Sequence, residues 1–128
     1  MQRFTAACAQ FAITPMDAAG NAAKAAIWTR RAVDESGAQL IVLPETVTTN
    51  FVPDVGPAGL WDAVDTLPGR YSEPVQQVAQ DLGVYVVFPS YERGPERGID
   101  RVAAALQHAQ PGLCRERLRR RHYVAGED

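Results

Sequence analysis

Residues 4–13 (FTAACAQFAI), 40–43 (LIVL) and 84–89 (VYVVFP) are short apolar runs, and each meets a proline at or just past its end. Continuous apolar runs of this length predict buried strands. Pro15 breaks the first, and Asp17 is the expected N-cap of an alanine-rich helix that runs to about Ser36. Ala19, Ala22, Ala26 and Val33 fall on one face of that helix, with Lys24, Arg31 and Asp34 elsewhere on the cylinder. Gly37 is well placed to end it as the C′ residue. Strand, helix and strand with short connections make a βαβ unit, so the first two strands should be parallel neighbours.

Residues 50–70 read as loop, with three prolines, three glycines and one helical turn at 60–64. Connections of this length in compact domains are often functional. Ser72 is the expected cap of a second helix, in which Val75, Val78, Ala79 and Leu82 form the apolar stripe and Gly83 ends the run. After the third strand, ERGPERG reads as a charged turn. Residues 102–106 and 113–121 then pair as a hairpin across 110–112. The expected class is α/β, and the 128 residues are one domain with no internal repeat.

Composition adds exclusions. Apolar residues make up 46% and charged residues 22%, the mix of a soluble globular chain. No window approaches the ~20 continuous apolar residues of a membrane span, and the N-terminus lacks a secretory pattern. The sequence therefore predicts a cytoplasmic protein with no membrane partner. Cys8 and Cys114 are far apart and lack metal-ligand spacing, so neither a disulfide framework nor a zinc site is indicated. Cys8, within the first strand, reads as a small buried hydrophobe.

The acid directly after LIVLP is the first candidate for chemistry. Open α/β sheets bind ligands beyond the carboxyl ends of their strands, and Glu45 stands at such an end. Position alone leaves a solvated strand end and a functional carboxylate both open.

Longer motifs narrow that choice. GAQLIVLPE (37–45) closely resembles the glutamate motif of the carbon–nitrogen hydrolase superfamily, the nitrilases and aliphatic amidases. AACAQF resembles that family's first strand, and Asn21 falls at the usual asparagine of its first helix. LPG (67–69) precedes the second helix as in many members, and LGVYVVFPSYER (82–93) resembles the next strand and turn. The likeness runs from Phe4 to Glu127. It implies a nitrilase-like α-β-β-α sandwich, truncated here to about its first half, with the N-terminal portion in residues 1–128.

The resemblance also implies a Glu, Lys and Cys triad acting on a small amide, nitrile or N-carbamoyl substrate. The thiolate attacks carbon, the glutamate moves protons, and the lysine stabilises the charge developing on the tetrahedral intermediate. By this likeness Glu45 is the general base. LRRRHYVAGE (118–127) matches the lysine motif, with Arg119 and His122 in place and Arg120 at the lysine position, 75 residues beyond Glu45. Strand alternation sets Arg120 on the side of Leu118, opposite Arg115, Arg117, Arg119 and Arg121. Arginine keeps the charge but is longer, planar and forked, so an active site built on it is expected to be impaired. Glu127 falls where many members carry a second, supporting glutamate. The nucleophilic cysteine of the family lies beyond the lysine motif, and Cys114 matches nothing in it. No metal or organic cofactor is implied, and members commonly form homodimers.

Two other functions compete. Missing Cys and altered Lys together suit a non-catalytic remnant that binds a small acid or amide, or another subunit. CRERLRRRH carries five arginines in seven residues, and residues 101–128 have a net charge of +3 against −5 for residues 1–100. Such a stretch suits a polyanion. The acidic body, the sparse aromatics and the lack of a nucleic-acid motif argue instead for a charged edge strand. A flavodoxin-like nucleotide site is disfavoured, because FAITPM (11–16) stands where a Gly-rich loop belongs.

Overall fold

The computed structural model describes residues 2–95, 98–106 and 114–121, with 100–106 and 114–121 described by their backbone. The elements in order are β1 (Ala6–Cys8), α1 (Ala18–Ser36), β2 (Leu40–Val42), α2 (Pro57–Ala63), α3 (Glu73–Leu82), β3 (Tyr85–Arg93), β4 (Ile99–Leu106) and β5 (Cys114–Arg121). They form one five-stranded sheet in the order β1-β2-β3-β4-β5. β1, β2 and β3 run parallel, and β4 and β5 join antiparallel.

Helix ends follow their local chemistry. Asp17 caps α1 by accepting a hydrogen bond from the Gly20 amide at 3.1 Å. Gly37 ends it in the left-handed conformation (φ 65°), its amide bonded to the Val33 carbonyl. Gly83 ends α3 in the same way at φ 67°. A Cβ at Gly83 would meet nothing within 4 Å, so only the backbone opposes one. Gly83→Ala is expected to cost about 1 kcal/mol for that left-handed angle, seen as a lower urea midpoint with an unchanged slope. Ser72 stands at the N-cap of α3 but does not cap it. Its hydroxyl instead exchanges hydrogen bonds with the backbone of Gly69, tightening the LPG turn.

The strand order advances in one direction, so two crossovers of constant hand bring α1 and α3 to the same face. The sheet is not doubly wound. Its inner face carries Ile41, Val86 and Phe88, all with no exposure, against Ala25 of α1 and Val75 and Ala79 of α3. Phe11 stacks on Trp28 at 5.5 Å and closes the edge of this core. The buried stripe of α1 is Ala18, Asn21, Ala22, Ala25 and Thr29, while Ala19 is exposed. Ala22 lies on that stripe and Ala26 and Val33 pack beside it, so the face is rotated from the one read from the alanines rather than replaced. In an alanine-rich helix apolar spacing barely fixes the face, and here two polar residues lie on the buried side.

Two strands differ in length from expectation. β1 has three residues, and its ladder extends by one bond at each end, from the Gln39 amide to the Thr5 carbonyl and from the Ala9 amide to the Val42 carbonyl. β3 has nine residues and continues past Pro89, the expected strand end, through Ser90 to Arg93. Its inward positions past Pro89 are Ser90 and Glu92, both buried and polar. Their polarity conceals the strand, yet each has a partner. Ser90 pairs with Thr48, and a Glu92 carboxylate oxygen accepts from the Leu67 amide at 3.1 Å. The hairpin of β4 and β5 is present, while its turn at 110–112 lies outside the described residues.

Register puts Ala6, Leu40 and Tyr85 in one row and Cys8, Val42 and Val87 in the next, on the face away from the helices. α1 and α3 lie on the other face, and α2 packs against Tyr91 and Ile99 farther along β3 and β4. Cys8 is accordingly exposed rather than buried. The inward residue of β1 is Ala7, in register with Ile41, which is itself in register with Val86. The described part is thus one helical layer and one sheet of an α/β fold. Among the described residues, no helix is long and apolar enough to cross a membrane.

Candidate active site

The carboxyl end of β2 builds the candidate site. The Leu43 amide makes the last ladder bond, to the Val87 carbonyl at 3.1 Å, and Pro44 has no N–H to continue it. The chain then coils into a tight turn over residues 45–49. The amides of Thr49 and Asn50 both donate to the Thr46 carbonyl, and the Val47 amide donates to Pro89 of β3 at 2.9 Å. Pro89 is tolerated inside the sheet because its nitrogen faces the side on which β2 has ended, so no ladder donor is missing there. Thr46, Val47, Thr48 and Thr49 are all buried, whereas Glu45 is exposed. One carboxylate is presented from an otherwise closed turn.

The turn is stitched on two sides. Thr48 Oγ1 and Ser90 Oγ lie 2.9 Å apart, tying it to β3. On the other side, the Met16 amide donates to the Thr49 carbonyl at 3.0 Å, and Asn50 Nδ2 donates to the Ile13 carbonyl at 3.1 Å. The backbone is tight as well. Thr46 has φ 47° and Asn50 has φ 65°. Asparagine tolerates the left-handed region, but a β-branched threonine there costs roughly 1–3 kcal/mol, an expense usually found at functional turns.

Residues 50–70 are more ordered than a loop reading suggests. α2 starts at Pro57, earlier than the helical turn expected at 60–64. Leu60, Val64 and Ile99 form a second small core, with Met16, Val52, Val55, Trp61 and Tyr91 packed around it. Arg93 donates to the Trp61 carbonyl at 2.9 Å and stacks over the Trp61 ring at 5.0 Å. This cluster fixes one wall at the end of the sheet where the Glu45 turn lies. Phe51, just past that turn, is 57% exposed.

The other candidate residues are placed unequally. Arg120 lies on β5 in register with Arg101, which is itself in register with Tyr91, two residues along β3 from Pro89. Its backbone is therefore two strands, roughly 10 Å, from β3. Glu127 and His122 lie outside the described residues. Neither cysteine is brought to Glu45. Cys8 is in register with Val42, three residues short of the glutamate, and Cys114 opens β5. Among the described residues no three His, Cys, Asp or Glu side chains gather to hold a metal.

Sequence reasoning missed the residues that support the turn. Thr48 carries no motif, Ser90 falls in the LGVYVVFPSYER likeness without a role, and Asn21 likewise stands only as a family position. Asn21 is fully buried and bonds the Thr48 carbonyl at 2.8 Å.

Comparisons with known proteins agree with the fold. The family model described as carbon-nitrogen hydrolase matches residues 5–122. Among solved structures, Nit3 of Saccharomyces cerevisiae, a member of branch 10 of the nitrilase superfamily, is 19% identical with a TM-score of 0.66 over 86% of this chain and 41% of that one. A CN-hydrolase superfamily protein of Xanthomonas campestris, with an arsenic adduct in its active site, is 20% identical with a TM-score of 0.66 over 94% and 45%. An N-terminal amidase with a Gln-Gly peptide is 14% identical with a TM-score of 0.72, over 92% of this chain and 28% of that one. The chain thus spans less than half the length of these structures. No curated protein sequence matches it.

Proposed function

The chain belongs to the carbon–nitrogen hydrolase family, and from that premise we propose that it hydrolyses a non-peptide carbon–nitrogen bond of a small amide, nitrile or N-carbamoyl substrate. Glu45 is the general base, and Arg120, at the family's lysine position, stabilises the charge that develops on the substrate oxygen or nitrogen. Glu127, by the same likeness, supports them. The observation that carries this reading is the turn at 45–49, which buries four residues and exposes one carboxylate at the end of a parallel strand.

Glu45 takes a proton from the attacking group and returns one to the leaving nitrogen, a role that needs hydrogen-bond reach and a fixed carboxylate. The thiol that the family uses has no counterpart beside Glu45 among the described residues, so the expected turnover is slow. Arg120 adds a second impairment, since a forked guanidinium does not fit a site shaped for an ammonium. Arg120→Lys is accordingly expected to raise kcat about tenfold, and an unchanged or lower kcat counts against the role of Arg120.

The test is ammonia release from a panel of small aliphatic amides, nitriles and N-carbamoyl amino acids. Release from at least one class supports the reading, and release from none overturns independent catalysis. Arg120 at the lysine position favours a second reading, a non-catalytic chain that binds such molecules. That reading predicts amide resonances of the 45–49 turn that shift with added acetamide or propionamide while no ammonia appears.

A further inference from the structure

Asn21 lies in the first turn of α1 with no exposed surface, and its carboxamide is used on both ends. Nδ2 donates to the carbonyls of Thr14 at 2.7 Å and Thr48 at 2.8 Å, and Oδ1 accepts from the Thr14 amide at 2.9 Å. A carboxamide offers two donors and one acceptor oxygen, and here both donors are spent in a dry site. Aspartate lacks the donors, and glutamine adds a methylene with no space to receive it. The side chain thus joins three segments: the start of α1, the 12–16 stretch and the glutamate turn.

Its hold on the turn falls where it controls direction. Thr48 is fixed at its carbonyl by Asn21 and at its hydroxyl by Ser90. The next carbonyl, of Thr49, is fixed by the Met16 amide. The turn's left-handed Thr46 is an unfavourable conformation that persists only when neighbours over-determine it. Releasing Thr48 frees the turn to relax, and the residue whose direction changes is the exposed one at its start.

We propose that Asn21 is a positioning residue for Glu45: by fixing the Thr48 carbonyl it locks the 45–49 turn and aims the carboxylate. This rests on the reading of Glu45 as the general base, and it is tested without substrate, so either can fail alone. Native-state hydrogen exchange of the whole chain compares the turn amides of Thr49 and Asn50 with those of Leu43 and Tyr85 in the sheet. In Asn21→Ala the turn amides should exchange 10- to 100-fold faster relative to the sheet amides, and the 13C resonance of the Glu45 side-chain carboxyl should shift or broaden. Val78→Ala, a core change in α3, should alter turn and sheet amides alike and leave that resonance in place. Asn21→Ser, which keeps a small polar side chain but not the two donors, should repeat the pattern if the alanine variant does not fold.

Turn amides that change only in step with the sheet, with an unmoved carboxyl resonance, reduce Asn21 to a structural residue and overturn the proposal. A loosened turn in a chain whose turnover ignores Glu45→Gln keeps the clamp and removes only the catalytic reading.

Discussion

Glu45→Gln is expected to lower amide or nitrile turnover by roughly 100- to 10,000-fold, the range over which a positioned general acid–base acts. The substitution keeps the shape and hydrogen-bonding capacity of the side chain while removing its ability to take a proton. Stability should barely respond. Glu45 is exposed, and the turn is held by backbone bonds at Thr46, Val47 and Thr49 and by the Thr48–Ser90 pair, none of which uses the carboxylate. Exposed substitutions away from such features usually stay within about 0.5 kcal/mol. A large kinetic loss with an unchanged urea midpoint is therefore the expected signature.

Phe88→Ala is expected to produce the opposite pattern, a loss of about 3–5 kcal/mol in folding stability through the cavity it leaves. Phe88 is fully buried on the inner face of β3, in the core with Val86, Val75 and Ala79. A domain of this kind has only about 5–15 kcal/mol in total, so the variant should unfold at a far lower urea concentration. Phe51→Ala supplies the contrast, because its ring is already 57% exposed. Equal losses at the two positions in chemical denaturation would contradict the assigned core.

Much of the helical layer was legible because local chemistry decides it. Asp17, Gly37 and Gly83 act where the pattern put them, and the parallel pairing of β1 and β2 follows from the short connections around α1. Less legible was anything decided by tertiary partners. Ser90 and Glu92 look like the end of a strand, because polarity in sequence cannot reveal that Thr48 and the Leu67 amide await them across the fold. The orientation of α1 was hidden for a related reason: Asn21 and Thr29 are buried by hydrogen bonding rather than by hydrophobicity. Cys8 was misread because a short strand's inward parity depends on register, which here selects Ala7.

The site divides in the same way. Glu45 was visible as a carboxylate after a strand, and the motif around it gave that acid a chemistry. The strained turn that presents it was not visible, since a β-branched threonine does not announce a left-handed residue at position 46 and Asn50 is the sole hint in TVTTN. Three of the four buried turn residues are threonines, whose small polar side chains fit a closed turn that the hydrophobic pattern alone does not predict.

Whether Glu45 moves protons in carbon–nitrogen bond hydrolysis is decided by ammonia release from the wild-type chain and Glu45→Gln, measured side by side. Both proteins are compared at equal folded fraction, on the substrate class that gives the highest rate. The expected wild-type rate is at least ~100 times that of the variant. Rates equal within error, on a substrate that the wild-type chain does turn over, would contradict it.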